Sequence, residues 1–174
     1  GKLMVIWVIG LAGSGKSTIA NIINQSFLKN KLPTVLIDGD VIRKIFGNDL
    51  GYSIEDRLKN ASRIKELCKL LDENSINVIC AILSISEEDR NWCRQNLSLY
   101  QEIFIDTPIS LIQKRGDREI YSQYDKGFIS NVVGKDIKFE KPNHSNFIIN
   151  NIGSKEDFID EGKKIAFSIL ETLK

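Results

Sequence analysis

The chain has a single histidine, His144, three cysteines and almost no net charge, and each shortage removes a class of function. One histidine leaves no histidine-rich metal site and argues against a Ser-His-Asp hydrolase. Cys68, Cys80 and Cys93 are odd in number and lack metal-ligand spacing, so reduced thiols in a cytosolic protein are expected. Lys and Arg number 24 against 23 Asp and Glu, a formal charge of +1, which is too little to call for a nucleic-acid or acidic-membrane partner. The longest apolar run, Leu3 to Ile9, is far too short to cross a bilayer, and no basic segment with a cleavable apolar core suggests export. A cytoplasmic location is the resulting expectation. The chain that is left has 174 residues, 42% hydrophobic and 27% charged, enough for one ordinary domain with a buried core.

Against these absences stands one dense motif, Gly10-Leu11-Ala12-Gly13-Ser14-Gly15-Lys16-Ser17-Thr18. It fits G-x-x-x-x-G-K-[ST], and its context is right: Leu3–Ile9 reads as a strand before it and Ile19–Leu28 as a helix after it. The glycines let successive N–H groups turn inward onto phosphate oxygens, and the helix dipole adds positive potential at the same point. Lys16 then reaches the β- and γ-phosphates of a nucleoside triphosphate, and the Ser17 hydroxyl holds Mg²⁺. The alternative, a Gly/Ser-rich turn that happens to hold a lysine, does not explain the flanking strand and helix.

Strand-like runs recur at Thr34–Asp38, Ile76–Leu83, Glu102–Asp106 and Asn146–Asn150, with helical patterns between them. Ser53-Ile54-Glu55-Asp56 reads as a capping box, Ser86-Glu87-Glu88 and Thr107-Pro108 open further helices, and a final helix starts near Ser154. Alternating β and α with apolar strands predicts an α/β fold: a five-stranded parallel sheet with helices on both faces. The whole chain reads as a single P-loop kinase domain. The long aperiodic stretch Gly127–Asn143, taken with the basic residues before it, predicts a lid over about 116–143.

Ligands in such sheets lie beyond the strand ends. After the second strand comes Asp38-Gly39-Asp40, suited either to steering Mg²⁺ and accepting a proton or simply to a turn. After the third comes Ser84, which could hold a phosphate or cap the next helix. Gln113-Lys114-Arg115-Gly116-Asp117-Arg118 could stabilise transferred charge or be a solvated helix end. Arg57 and Asn60 share a helix face and, with Arg43 and Tyr52, could clamp an anionic, ring-bearing substrate.

In this order the motifs resemble one family, the adenylylsulfate (APS) kinases, from Leu3 to about Asn150. The likeness runs through the P-loop, Asp38-Gly39-Asp40 with Arg43, Asp49-Leu50-Gly51-Tyr52-Ser53, Asp56-Arg57, Asn60 and Arg63-Ile64. It continues through Ser84, Asp89-Arg90, Asp106-Thr107-Pro108, Gln113-Lys114-Arg115 and Tyr121. The resemblance implies ATP-dependent phosphorylation of a ribose 3′-hydroxyl on a nucleotide with a 5′ anhydride. It implies Asp40 as base, Asp38 as helper to Mg²⁺ and Arg115 as an ATP contact. Arg43, Tyr52, Arg57, Asn60, Ile82, Leu83 and Ser84 are implied acceptor contacts, with Ser84 matching a serine that the family is said to phosphorylate transiently.

Departures from the family pattern fall on the acceptor side. One of two stacking phenylalanines looks like Tyr52 and the other is Val132, and a lysine pair after the lid tyrosine is Ser122-Gln123. Losing a stacking partner forfeits roughly 1–3 kcal/mol per base. This profile resembles the branch of cytidine diphosphoramidate kinases of capsular phosphoramidate biosynthesis, and it makes cytidine 5′-diphosphoramidate the expected acceptor, with APS as the alternative. Ser122, Gln123 and Val132 are then acceptor contacts. A regulatory GTPase would need Asn-Lys-x-Asp, whereas Asn30-Lys31 is followed by Leu32-Pro33. A silent nucleotide-binding protein would have no use for Lys16, Ser17, Asp38 and Asp40 together. The expected partners are ATP and a nucleotide, and a homodimer is compatible with the chain.

Overall fold

In β1 (Val5–Ile9) every residue is buried, which places this strand at the middle of a sheet covered on both faces. The computed structural model describes residues 3–116 and 118–174, so Asp117 of the basic run lies outside the described residues. β1 pairs in parallel with β3 (Asn77–Ile82) on one side and with β4 (Tyr100–Asp106) on the other. β2 (Thr34–Asp38) lies outside β3 and β5 (Phe147–Asn150) outside β4, also in parallel. The order is therefore β2-β3-β1-β4-β5, and the chain reverses its direction of growth at β1, where the crevice of such a sheet opens.

The two-residue period of β1 sorts its side chains between two cores. Met4, Ile6 and Val8 meet α1 (Lys16–Lys29) and α7 (Lys155–Thr172) through Ile19, Ile23, Phe27, Ala166 and Ile169. Val5, Trp7 and Ile9 meet α3 (Ile54–Glu73) and α4 (Glu87–Asn96) through Ala61, Ile64, Cys68 and Cys93. All three cysteines are free and buried. Among the described residues no helix is long and apolar enough to cross a membrane.

The predicted sheet is observed, as are the helix starts. Ser53, Ser86 and Ser154 each accept an N–H three residues on, from Asp56, Asp89 and Asp157, which satisfies one orphan donor per helix. Three elements differ from expectation. β4 begins at Tyr100, two residues early, because Tyr100 and Gln101 pair with Val5 and Ile6 of β1. A short α2 (Gly39–Ile45) starts directly at the Asp-Gly-Asp sequence, with the Asp38 carboxylate accepting Asp40 N–H at 2.8 Å. Between α5 (Ile109–Arg115) and β5 the predicted lid contains α6 (Glu119–Asp125) and a bridge from Val133 to Ile137.

Phe27 is fully buried beneath α7, whereas Phe167 is 67% exposed. Phe27→Ala is expected to lower unfolding free energy by about 3–5 kcal/mol in urea denaturation, and Phe167→Ala by less than about 0.5.

Candidate active site

The glycine motif follows β1 directly and curls back on itself, with Ser14 N–H bonded to Leu11 O at 3.0 Å. Its carbonyls are held from outside. Thr107 Oγ1 at the end of β4 and Asn151 Nδ2 after β5 both donate to Ser14 O, at 3.0 and 2.8 Å. The Tyr121 hydroxyl of α6 donates to Ala12 O at 2.6 Å. With these carbonyls bonded outward, the loop N–H groups turn to the concave side, a nest for anionic oxygens. Gly13 and Gly15 have φ of +82° and +112°. A Cβ on Gly13 would lie 2.7 Å from Ile112 and from Arg118, and one on Gly15 would lie 2.6 Å from Phe158. Neither position tolerates a side chain.

Lys16 opens α1. Its Nζ bonds to Gly10 O and Leu11 O at 3.0 and 2.9 Å, so the ammonium sits over the loop mouth rather than extended. Burial first, and then the charge of Arg118, push its pKa down to about 8, with Asp38 and Asp40 acting in the opposite direction. A desolvated cation beside a nest of N–H groups calls for a polyanion.

This loop forms one end of a cleft of about 710 Å³. Lys16, Ser17 and Thr18 line that end, Asp38 and Asp40 the middle, and Arg43, Tyr52, Arg57 and Asn60 the far end. Ile82, Leu83 and Ser84, at and beyond the end of β3, form one wall, and Arg118, Ile129, Ser130 and Val132 of the predicted lid form the roof. At the far end two guanidiniums lie over the Tyr52 ring, Arg43 at 4.4 Å and Arg57 at 5.4 Å from its centre, and Tyr52 stays 54% exposed. Arg43 donates to Gly51 O at 2.8 Å and Arg57 to Tyr52 O at 2.9 Å, which fixes the platform. Arg57 also donates to Asn131 O of the predicted lid at 2.9 Å. Burial, and then the charge of Arg43, loosens the hold of Arg57 on its proton, so this end is short of negative charge. Asn60 directs Nδ2 to Gly39 O at 3.5 Å, and its buried Oδ1 has no partner. That orphan oxygen is ready for a donor on a bound molecule.

The structure therefore brings together most of the sequence-predicted residues, with four differences. Arg115 does not reach the cleft: its guanidinium binds Asn151 O and Gly153 O at 3.0 and 3.2 Å and fixes the loop that holds Ser14. Arg118, three residues on, stands over Gly13 instead. Ser122 and Gln123 do not line the cleft, and Ser122 Oγ turns back to Glu119 O of its own helix at 2.9 Å. Leu11 and Val132 pack against Ile112 and Tyr121, so Val132 is a buried packing residue that also lines the cleft. Ser14 is wholly buried below the loop. Ser84 is not a helix cap, since Ser86 takes that role. Ile129 and Ser130 had no signal in the sequence, because they lie in an aperiodic stretch.

Comparison with known proteins agrees with this geometry. Residues 2–150 match the family described as adenylylsulphate kinase. The adenylyl-sulfate kinase of Pseudomonas aeruginosa is 37% identical over 170 residues, 97% of this chain and 85% of its own. That of Clostridium acetobutylicum is 36% identical over 174 residues, 99% of this chain and 84% of its own. In structure, the Mycobacterium tuberculosis APS kinase in complex with AMPPNP and APS superposes with a TM-score of 0.86 at 27% identity, covering 98% of both chains. A gluconokinase from Sinorhizobium meliloti, at 15% identity and a TM-score of 0.63 over 97% of this chain and 94% of its own, shares the fold alone.

With Lys16 at about 8 in the free protein, a bound triphosphate keeps the ammonium charged. Binding of a non-hydrolysable ATP analogue at pH 8.5 is therefore expected to take up about three-quarters of a proton. Titration calorimetry in two buffers of different ionisation enthalpy measures this uptake. Lys16→Met should abolish it; the same uptake in the variant would exclude Lys16 as its source.

Proposed function

The chain belongs to the adenylylsulphate kinase family, and from that premise we propose that it transfers the γ-phosphoryl group of ATP to the ribose 3′-hydroxyl of a nucleotide bearing a 5′ anhydride, with adenylyl sulfate as acceptor. The carrying observation is the polarity of the cleft: a phosphate nest with Lys16 at one end, an exposed Tyr52 ring with two guanidiniums beside it at the other, and Asp38 and Asp40 where they meet.

The donor lies with its phosphates in the nest, its γ-phosphorus facing Asp40. The acceptor base stacks on Tyr52, and its anionic 5′ group lies against Arg43 and Arg57. The 3′-oxygen bonds to the γ-phosphorus while the bond from that phosphorus to the β,γ-bridging oxygen breaks and ADP leaves; the hydroxyl proton passes to Asp40. Lys16 and Arg118 stabilise the charge that spreads over the transferred oxygens. Mg²⁺, when bound with ATP, neutralises the β- and γ-oxygens. The chain offers it hard oxygen donors, the Ser17 hydroxyl and the Asp38 oxygen not used in capping Asp40, as such an ion requires. The segment 116–143 acts as the lid that keeps water from the donor.

The cytidine diphosphoramidate acceptor expected from the sequence becomes the second reading. The relatives compared above are adenylyl-sulfate kinases, which lends no support to that branch or to a role in capsule synthesis. Two of its expected acceptor contacts are also lost, since Ser122 and Gln123 stand off the cleft. One observation still favours it: among the described residues lining the cleft, Tyr52 is the only aromatic ring, and a single platform suits a smaller base.

Steady-state kinetics with the two acceptors side by side test the proposal. The kcat/KM for adenylyl sulfate is expected to exceed that for cytidine 5′-diphosphoramidate by at least about tenfold, or ~1.4 kcal/mol. The reverse ranking selects the second reading, and transfer to neither overturns the kinase assignment. Asp40→Asn should lower turnover at least about a hundredfold with the fold retained; near-normal turnover would remove Asp40 from the role of base.

A further inference from the structure

Ser84 has a φ of +55°, a left-handed conformation that a serine keeps only when its surroundings hold it there. It is 6% exposed and yet lies on the cleft wall. Its holder is Arg90 of α4, whose Nη1 donates to Ser84 Oγ at 3.0 Å and to Ser84 O at 3.3 Å. Arg90 is itself only 3% exposed, and a guanidinium so deeply buried needs an anionic partner. That partner is Glu102 in β4, wholly buried, with Oε1 3.8 Å from Arg90 Nε.

Glu102 is also the hub of a second set of bonds. Its Oε1 accepts from Arg94 at 2.9 Å and from the Tyr100 hydroxyl at 2.7 Å, and its Oε2 from Ser145 Oγ at 2.7 Å. Arg94 reaches on to His144 O at 3.3 Å, and the Glu102 N–H donates to Asn146 Oδ1 at 2.9 Å. Residues 144–146 are where the lid segment rejoins the sheet. Two guanidiniums share one carboxylate here, so the cluster keeps surplus positive charge, and the donor nearest the cleft is the one on Ser84.

We propose that Arg90 and Glu102 form a buried positioning relay: Arg90 occupies a lone pair of Ser84 Oγ, leaving the Ser84 O–H to donate to an oxygen of the anionic acceptor, while Glu102 locks this arrangement to the segment that ends the lid. The part played by the acceptor rests on the function proposed above. Ser84 needs no covalent step in this role. Arg90 and Glu102 touch no substrate and act through Ser84.

A double-mutant cycle and hydrogen exchange test the relay. Arg90→Lys is expected to lower kcat/KM for the acceptor at least about tenfold, with KM for ATP changed less than about twofold. In a Ser84→Ala background the same substitution should cost less than about twofold more, because its route of action is gone. A second full tenfold loss in that background would overturn the relay. Glu102→Gln should speed amide exchange at least about fivefold both at 82–86 and at 144–147; acceleration confined to 144–147 overturns it. Should Glu102→Gln fail to fold, Ser145→Ala removes only the outermost bond, and unchanged exchange at 82–86 in that variant overturns the relay equally. The exchange measurement uses no substrate. A wild-type protein that phosphorylates neither acceptor would thus remove the kinase reading and leave the relay to be decided by exchange.

Discussion

The cleft depends on the outward tethering of the phosphate loop. A backbone loop presents its N–H groups inward only if its carbonyls have partners elsewhere. Here Thr107, Asn151 and Tyr121 supply them, from the ends of β4 and β5 and from α6. Those donors are in place because parallel pairing brings the carboxyl ends of β1, β4 and β5 to one edge. Arg115 belongs to the same scaffold, since it fixes the 151–153 loop that carries one of the donors. The geometry of the loop is thus a property of the sheet as much as of the glycine motif.

The cleft that results is polar by design of its ends. Lys16 and Arg118 stand at one end and Arg43 and Arg57 at the other, with Asp38 and Asp40 between them. Four cations facing two carboxylates leave the cleft short of negative charge, so an anion bound there relieves the repulsion between neighbouring cations. Tyr52 contributes differently. Its ring is already in contact with the two guanidiniums, so on the function proposed here the platform is formed before a base lands on it and less ordering is required on binding.

Much of this was legible in the residues. The sheet could be read because a central strand with both faces covered must be apolar throughout, as Val5–Ile9 is. The phosphate loop could be read because few residue types permit its conformation. Less legible were elements that obey no period. Tyr100 and Gln101 fell outside the expected β4 because Gln101 and Glu102 interrupt the apolar run, and only the pairing with Val5 and Ile6 shows where the strand begins. Arg115 and Arg118 were indistinguishable in a basic run, and only three dimensions separate a scaffold arginine from one over the loop. Ser122 and Gln123 were assigned to the acceptor by correspondence with a family pattern, but the turn of α6 carries them off the cleft. Ser84 could be read as a helix cap or a phosphate ligand, and the bond from Ser86 to Asp89 N–H settled which serine caps.

The Tyr121–Ala12 bond has a consequence for how such an enzyme can change over generations. The residues that roof the acceptor end, from Ile129 to Val133, lie on the same segment as the tyrosine that shapes the phosphate loop, and Val132 packs directly on that tyrosine. On the function proposed here, discrimination between acceptors and grip on the donor are therefore written into one stretch of chain. A lineage that drifts toward a new acceptor by altering the roof also perturbs the donor site. The roof cannot be transplanted from a cousin as an independent module; its inheritance brings the donor's anchor with it.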